Sequence, residues 1–339
     1  MAAAVGIAAA VGAAQLGLGY GMDIIRFADA GGQVTPQVWV GSLTWATWIA
    51  ATSTIVGAVV ADRLGTRPEP GSDPDLASPP VTPVDRATGL LWRLVLATAA
   101  ALGAAVTVAL IAVPARAVEL AGVSSPQTVA AGYAALGVVA SLVVATGALA
   151  IRAVATNILA TAAWLWLLAV VGVVDGVLAG PGAIRIPLAF WEVSTDGPWF
   201  RSVLLPDAGL ALVAALAIGF LAAVPAARRG DRPVGVVVSG AAGPLVLALA
   251  YLLTQPDLVG LGAVDLSRQL VVPYLVLAGL LGSLLATTVP ARGPVPPSAP
   301  DDRSAPDDRS APAGPAAASP APLPAATGVP APRTASPAE

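Results

Sequence analysis

Residues 157–179 read NILATAAWLWLLAVVGVVDGVLA, an apolar run whose only ionisable residue is Asp175, close to its end. At 1.5 Å per residue such a helix reaches about 34 Å, enough to cross a hydrocarbon core of about 30 Å. Inside that core every backbone N–H and C=O must be paired within the element itself, so the run is read as a membrane-spanning helix.

The pattern recurs on both sides. The stretches at 90–113, 234–254 and 269–289 are equally dense in Leu, Val and Ile, and 38–61, 128–150 and 207–225 are long and apolar enough to join them. The run at 3–22 is built of Ala and Gly, which contribute little transfer free energy, and holds Gln15. Two readings stand for it, a retained span and a cleaved signal peptide; the lack of Arg or Lys ahead of it favours the span. The predicted fold class is all-α, a polytopic transmembrane helix bundle of about eight spans within residues 1–289.

Composition agrees. Of 339 residues 56% are hydrophobic and 11% charged, against roughly 25% charged in ordinary soluble domains. The chain has no Cys and no His, which excludes disulfides, thiolate nucleophiles, Cys-ligated metal and imidazole chemistry. All 17 basic residues are Arg, so Schiff bases and a P-loop lysine are excluded too. Wealth in Ala, Gly, Pro and Arg suits a GC-rich genome, and the expectation is a bacterial cytoplasmic membrane. The arginines weight the loops on the N-terminal side, most heavily at Arg228, Arg229 and Arg232, so both termini are expected in the cytoplasm.

Two segments are predicted to stay unfolded. Residues 65–87 carry Pro68, Pro70, Pro74, Pro79, Pro80 and Pro83 among Asp, Ser and Gly, the composition of a flexible cytosolic linker. Residues 290–339 form a Pro/Ala-rich C-terminal tail in which Asp301 to Pro306 is repeated from Asp307 to Pro312; slippage in a tolerant tail explains the repeat more simply than phosphorylation at Ser304 and Ser310. Thr35-Pro36-Gln37 ahead of the second span is echoed by Ser125-Pro126-Gln127 ahead of the fourth. Duplicated two-helix units would leave such an echo, and so would the preference for Pro at a helix start.

Two short resemblances bear on function. Asp62-Arg63-Leu64-Gly65-Thr66-Arg67, following Gly57, resembles the charged loop between helices 2 and 3 of the major facilitator transporters. The resemblance implies a cytosolic charge network, though Thr66 replaces a basic residue, the spacing from Gly57 is one residue longer, and that family usually has twelve spans. An Arg-flanked helix end obeying the positive-inside rule reads the same residues without kinship. Gly19-Tyr20-Gly21 with Asp23 resembles the selectivity filter of potassium channels but lacks the preceding Thr-Val and ends a span.

Ionisable residues inside spans mark ion or proton paths, and here they are sparse. Asp175 falls near the outer interface and Arg93 near the inner end of its span, where it can snorkel. In the outer loop at 180–206, Phe190, Trp191, Glu192, Asp196, Trp199, Phe200 and Arg201 alternate aromatic and charged groups; the expectation is an interfacial anchor, with a lid as the functional alternative. Glu192, Asp196 and Asp207 are the carboxylates nearest to an enzyme's needs, and they match no reaction template. Trp39, Trp45 and Trp48 are expected to form an aromatic belt on the outer half of the second span. Trp164 and Trp166 are too deep for a belt, so at least one is expected to pack between helices. Gly137, Ala140, Ser141 and Ala145 are expected to let helices approach closely.

No catalytic, cofactor-binding or metal-binding residue is assigned. The expected function is that of a non-enzymatic partner, anchoring or regulatory membrane subunit without a cofactor, with the lipid bilayer and other membrane proteins as partners and no nucleic acid. The alternative is a transporter for a small or lipid-like substrate.

Overall fold

The computed structural model describes residues 1–27, 34–65, 82–179, 186–190, 205–255 and 263–290, with only the backbone at 179, 205–207 and 263–268. The described residues are all-helical. In chain order the helices are α1 (Ala2–Gly21), α2 (Pro36–Gly65), α3 (Pro83–Ala115), α4 (Pro126–Ala150), α5 (Arg152–Ala179), α6 (Leu205–Arg228), α7 (Pro233–Ser239), α8 (Ala242–Thr254) and α9 (Ala263–Ala286). Seven are long and apolar enough to cross a membrane, and α7 and α8, bent by 44° at the break between them, are together apolar enough for a broken span or a re-entrant loop. The protein is a multi-pass membrane protein.

Helix α2 is the axis. Of its most apolar window 89% is buried, whereas α1 buries 28% and the other spans no more than 44%. It packs against α1, α3, α4 and α8. Its buried face includes Ser42, Thr44, Thr47, Thr52, Ser53 and Thr54, while the outer surface of the bundle carries Val139, Val143, Leu178, Leu221 and Leu252. The interior is still mainly apolar, but large apolar side chains also cover the outside, for a physical reason. Lipid tails are as apolar as Leu, so helices gain nothing by hiding it and associate through close contact and hydrogen bonds.

Close contact is visible at the glycines. A Cβ at Gly57 would meet Ala8, at Gly103 the Val5 carbonyl and at Gly137 the Thr47 carbonyl, so α1 meets α2 and α3, and α2 meets α4, almost backbone to backbone. Gly219 and Gly282 do the same between α6 and α9. The Gly137, Ser141 and Ala145 face of α4 is thus turned inward as expected, with Ser141 and Ala145 buried.

The expected linker at 65–87 is too long at its C-terminal end. Helix α3 starts at Pro83, because the Thr82 hydroxyl accepts from the Asp85 amide while the Asp85 carboxylate accepts from the Thr82 amide at 2.9 Å, a capping box with Pro at the first helical position. The remainder of the linker at 66–81 lies outside the described residues, as does the tail beyond 290. Pro36 and Pro126 open α2 and α4, so each Pro of the Pro-Gln echo occupies a helix start.

Candidate functional site

The polar and aromatic groups of α2 meet partners from distant segments and form one interior stack. Trp45 and Trp48 lie edge-on with ring centroids 5.6 Å apart, and Trp166 of α5 leans on them at 5.5 and 6.4 Å. Trp45 and Trp48 are each 1% exposed. The expected belt is therefore corrected: these rings, with Trp39, belong to the bundle core. Trp166 packs between helices, and Trp164 lines a small, shallow cleft bounded by α5, α6, α8 and α9.

The stack carries a hydrogen-bonded node. The Gln15 carbonyl oxygen of α1 accepts from Trp166 Nε1 at 3.1 Å and from the Thr52 hydroxyl at 3.3 Å. Thr52 also donates to the Trp48 and Ile49 carbonyls at 2.9 and 3.2 Å, so Trp166 is the steadier donor to Gln15. Beside the node, Gly12 faces Thr107 and Ser53, which leaves α1 no room for a side chain there.

Above the stack the short segment 186–190 is tucked into the bundle. Trp45 Nε1 donates to the Ile186 carbonyl at 2.9 Å and Tyr251 of α8 donates its hydroxyl to the Leu188 carbonyl at 2.7 Å. Leu188, Ala189 and Phe190 are buried, Phe190 edge-on to Tyr251 at 6.4 Å, and Ala189 adopts a φ of 71°. Thr44 and Thr254 share a hydrogen bond of 2.8 Å between α2 and α8. Phe190 is thus a core residue and no headgroup anchor. Arg185, Trp191, Glu192, Asp196, Trp199, Phe200 and Arg201 lie outside the described residues, and of Asp207 only the backbone is described.

The third feature is the break between α7 and α8. Gly240 lies so close to the Gly279 backbone of α9 that any side chain would clash. The Gly243 amide, in the first turn of α8, donates to the Asn157 side-chain oxygen at 2.7 Å, and the Ser283 hydroxyl donates to the Val237 carbonyl at the end of α7. Interrupted helices are tolerated at membrane depth where neighbours re-satisfy the freed backbone groups, and Asn157 and Ser283 do so here. Among the described residues, Asn157 Nδ2 and Thr47 Oγ1 are buried with no hydrogen-bond partner. Thr47 lines a second small cleft with Ser141 and Gly137.

The remaining sequence candidates have local explanations. Gly19-Tyr20-Gly21 is the last turn of α1, and the Gly19 carbonyl accepts from the Ile24 and Ile25 amides while the Tyr20 carbonyl accepts from Asp23. Those oxygens are spent on the chain itself, which agrees with the missing Thr-Val and the position at a span's end. Gly57 is accounted for by Ala8; Asp62 to Gly65 complete the last turn of α2, and Thr66 and Arg67 lie outside the described residues. Asp175 is half-buried near the end of α5. Asn157, Tyr251 and Thr254 are not singled out in the sequence, and Gln15 is noted there only as a polar residue inside the first run. A polar residue within an apolar run is the signal that marks them.

Comparison of the chain with protein-family models, with curated proteins and with solved structures finds no match.

Proposed function

We propose that this membrane protein is a non-enzymatic partner or anchoring subunit, set in a bacterial cytoplasmic membrane with both termini in the cytoplasm. The observation that carries the reading is the outward face of α1. Gly6, Ala10, Ala13, Gly17 and Gly21 recur at helical spacing on one side of the helix, all are exposed, and beside the three glycines there is open space. Transmembrane helices pair through faces of this kind, where small residues let backbones come close. The inward glycines Gly12, Gly57 and Gly103 already serve that purpose inside the bundle, and the buried hydroxyls of Ser53, Thr54 and Ser141 are engaged by carbonyls of their own helices. The outward face is the part of α1 with packing capacity to spare.

The test is purification of the tagged full chain from its native membrane in mild detergent, with mass spectrometry of what accompanies it, beside a Gly6→Leu/Gly17→Leu variant. A companion at comparable stoichiometry that the variant loses by tenfold or more supports the reading. A chain that emerges alone and monodisperse overturns it.

The second reading is a carrier for a small or lipid-like solute, favoured by the interrupted α7–α8 span. Carriers bind substrate near midplane beside discontinuous helices, and the half-helix start at Gly243 with the spare donor of Asn157 has that form. Emergence of the chain alone moves this reading to first place.

A further inference from the structure

Helix α3 is longer than its share of the bundle. Its buried positions run from Leu96 to Ala115, about 30 Å of helix and a full hydrocarbon thickness. From Val84 to Val95 every side chain is exposed or half-exposed. The contacts with α1 fix how far this arm reaches. Gly103 sits on Val5 and Tyr20 of α1 donates to the Leu110 carbonyl, so the two helices run the same way. Arg86 is about 26 Å of helix before Gly103, whereas Met1 is only about 6 Å before Val5. The arm therefore extends about 20 Å past the N-terminus of α1.

The arm is two-faced. At 100° per residue Asp85, Arg86, Gly89 and Arg93 fall on one arc, and Val84, Leu91, Leu94 and Val95 on the opposite one together with Thr88, with Leu90 and Trp92 at the two boundaries. Leu90, Leu91 and Trp92 are 56%, 61% and 55% exposed. Asp85 is committed to the capping box, so arginine sets the character of the polar arc. Apolar residues below, Trp at the boundary and Arg above is the pattern by which a helix lies in a membrane interface and attracts anionic headgroups.

We infer that residues 83–95 of α3 form an interfacial arm that binds the anionic lipid surface on the side of the membrane carrying the N-terminus. Leu90, Leu91 and Leu94 enter the acyl boundary, and Arg86 and Arg93 pair with phosphate groups. The contact sets the depth of α3, and through Gly103 the position of α1.

The absence of Cys makes the test clean. The full chain with Leu91→Cys, labelled with an environment-sensitive fluorophore, is reconstituted in vesicles of phosphatidylcholine with and without phosphatidylglycerol. The expected result is blue-shifted emission, quenched by brominated lipid, with the buried fraction larger in the phosphatidylglycerol vesicles. Arg86→Gln and Arg93→Gln should each lower the ratio of buried to water-exposed label roughly fivefold there. Both arginines lie outside the packed interior, so unchanged elution and helicity are expected of these variants. Water-like emission in both vesicles overturns the inference. So does insertion indifferent to phosphatidylglycerol and to both arginines, and so does emission that is blue-shifted but unquenched by brominated lipid, which would mean a protein covers the arm.

Discussion

Replacing Gln15 by Leu tests the interior node most directly. Leu fits an apolar span better than Gln, so hydropathy alone predicts a more stable protein. The structure predicts the reverse. Loss of the Gln15 oxygen removes the bond from Trp166 Nε1 at 3.1 Å and leaves that donor in the bundle without a partner. A hydrogen bond between membrane helices averages about 0.6 kcal/mol, and an orphaned buried donor costs about 1–3 kcal/mol. Thr52 adds little, because it keeps the Trp48 carbonyl at 2.9 Å. The expected destabilisation is about 1–3 kcal/mol. Unfolding in mixed micelles against sodium dodecyl sulfate, followed by far-ultraviolet circular dichroism, measures it without relying on tryptophan emission. A double-mutant cycle with Trp166→Phe isolates the pair: once the donor is gone, Gln15→Leu should cost at least about 1 kcal/mol less than it does alone. A Gln15→Leu protein within about 0.5 kcal/mol of the parent, with no coupling to Trp166, would refute the node as a source of stability.

Two further outcomes are expected. Gly103→Ala puts a methyl group against the Val5 carbonyl and forces α1 from α3, at about 2 kcal/mol or more in the same titration, whereas Gly6→Ala, facing open space, should stay within about 0.5 kcal/mol of the parent. Tyr251→Phe keeps the ring on Phe190 but releases the Leu188 carbonyl, so hydrogen exchange at 186–190 should speed up by roughly fivefold to tenfold while the core of α2 keeps its protection; equal rates at Leu188 in the two proteins would mean that the hydroxyl does not hold this segment.

The sequence by itself determined that the chain is helical and crosses the bilayer repeatedly. Helix hydrogen bonds are local and the bilayer has one thickness, so the length of an apolar run decides whether it spans, as at 157–179. It also held the start of α3, in Thr82, Pro83 and Asp85, although the prolines before it suggest a longer linker. The tertiary structure alone decided what the polar and aromatic residues do. A Trp suits an interface or a crowded core equally well, and only the arrival of Trp166 and Gln15 beside α2 makes Trp45 and Trp48 core residues. The partner of Gln15 lies 151 residues away, that of Asn157 86 and that of Thr44 210, distances at which no local pattern specifies pairing. The bend between α7 and α8 is of the same kind. Gly240, Gly243 and Pro244 permit a break, but it is the Gly279 backbone, Asn157 and Ser283 pressing from neighbouring helices that fix it at Gly240 and Ala241. Within a bilayer, hydropathy says where a helix lives; which face meets which neighbour is decided by shape and by hydrogen bonds that exist only once the helices are together.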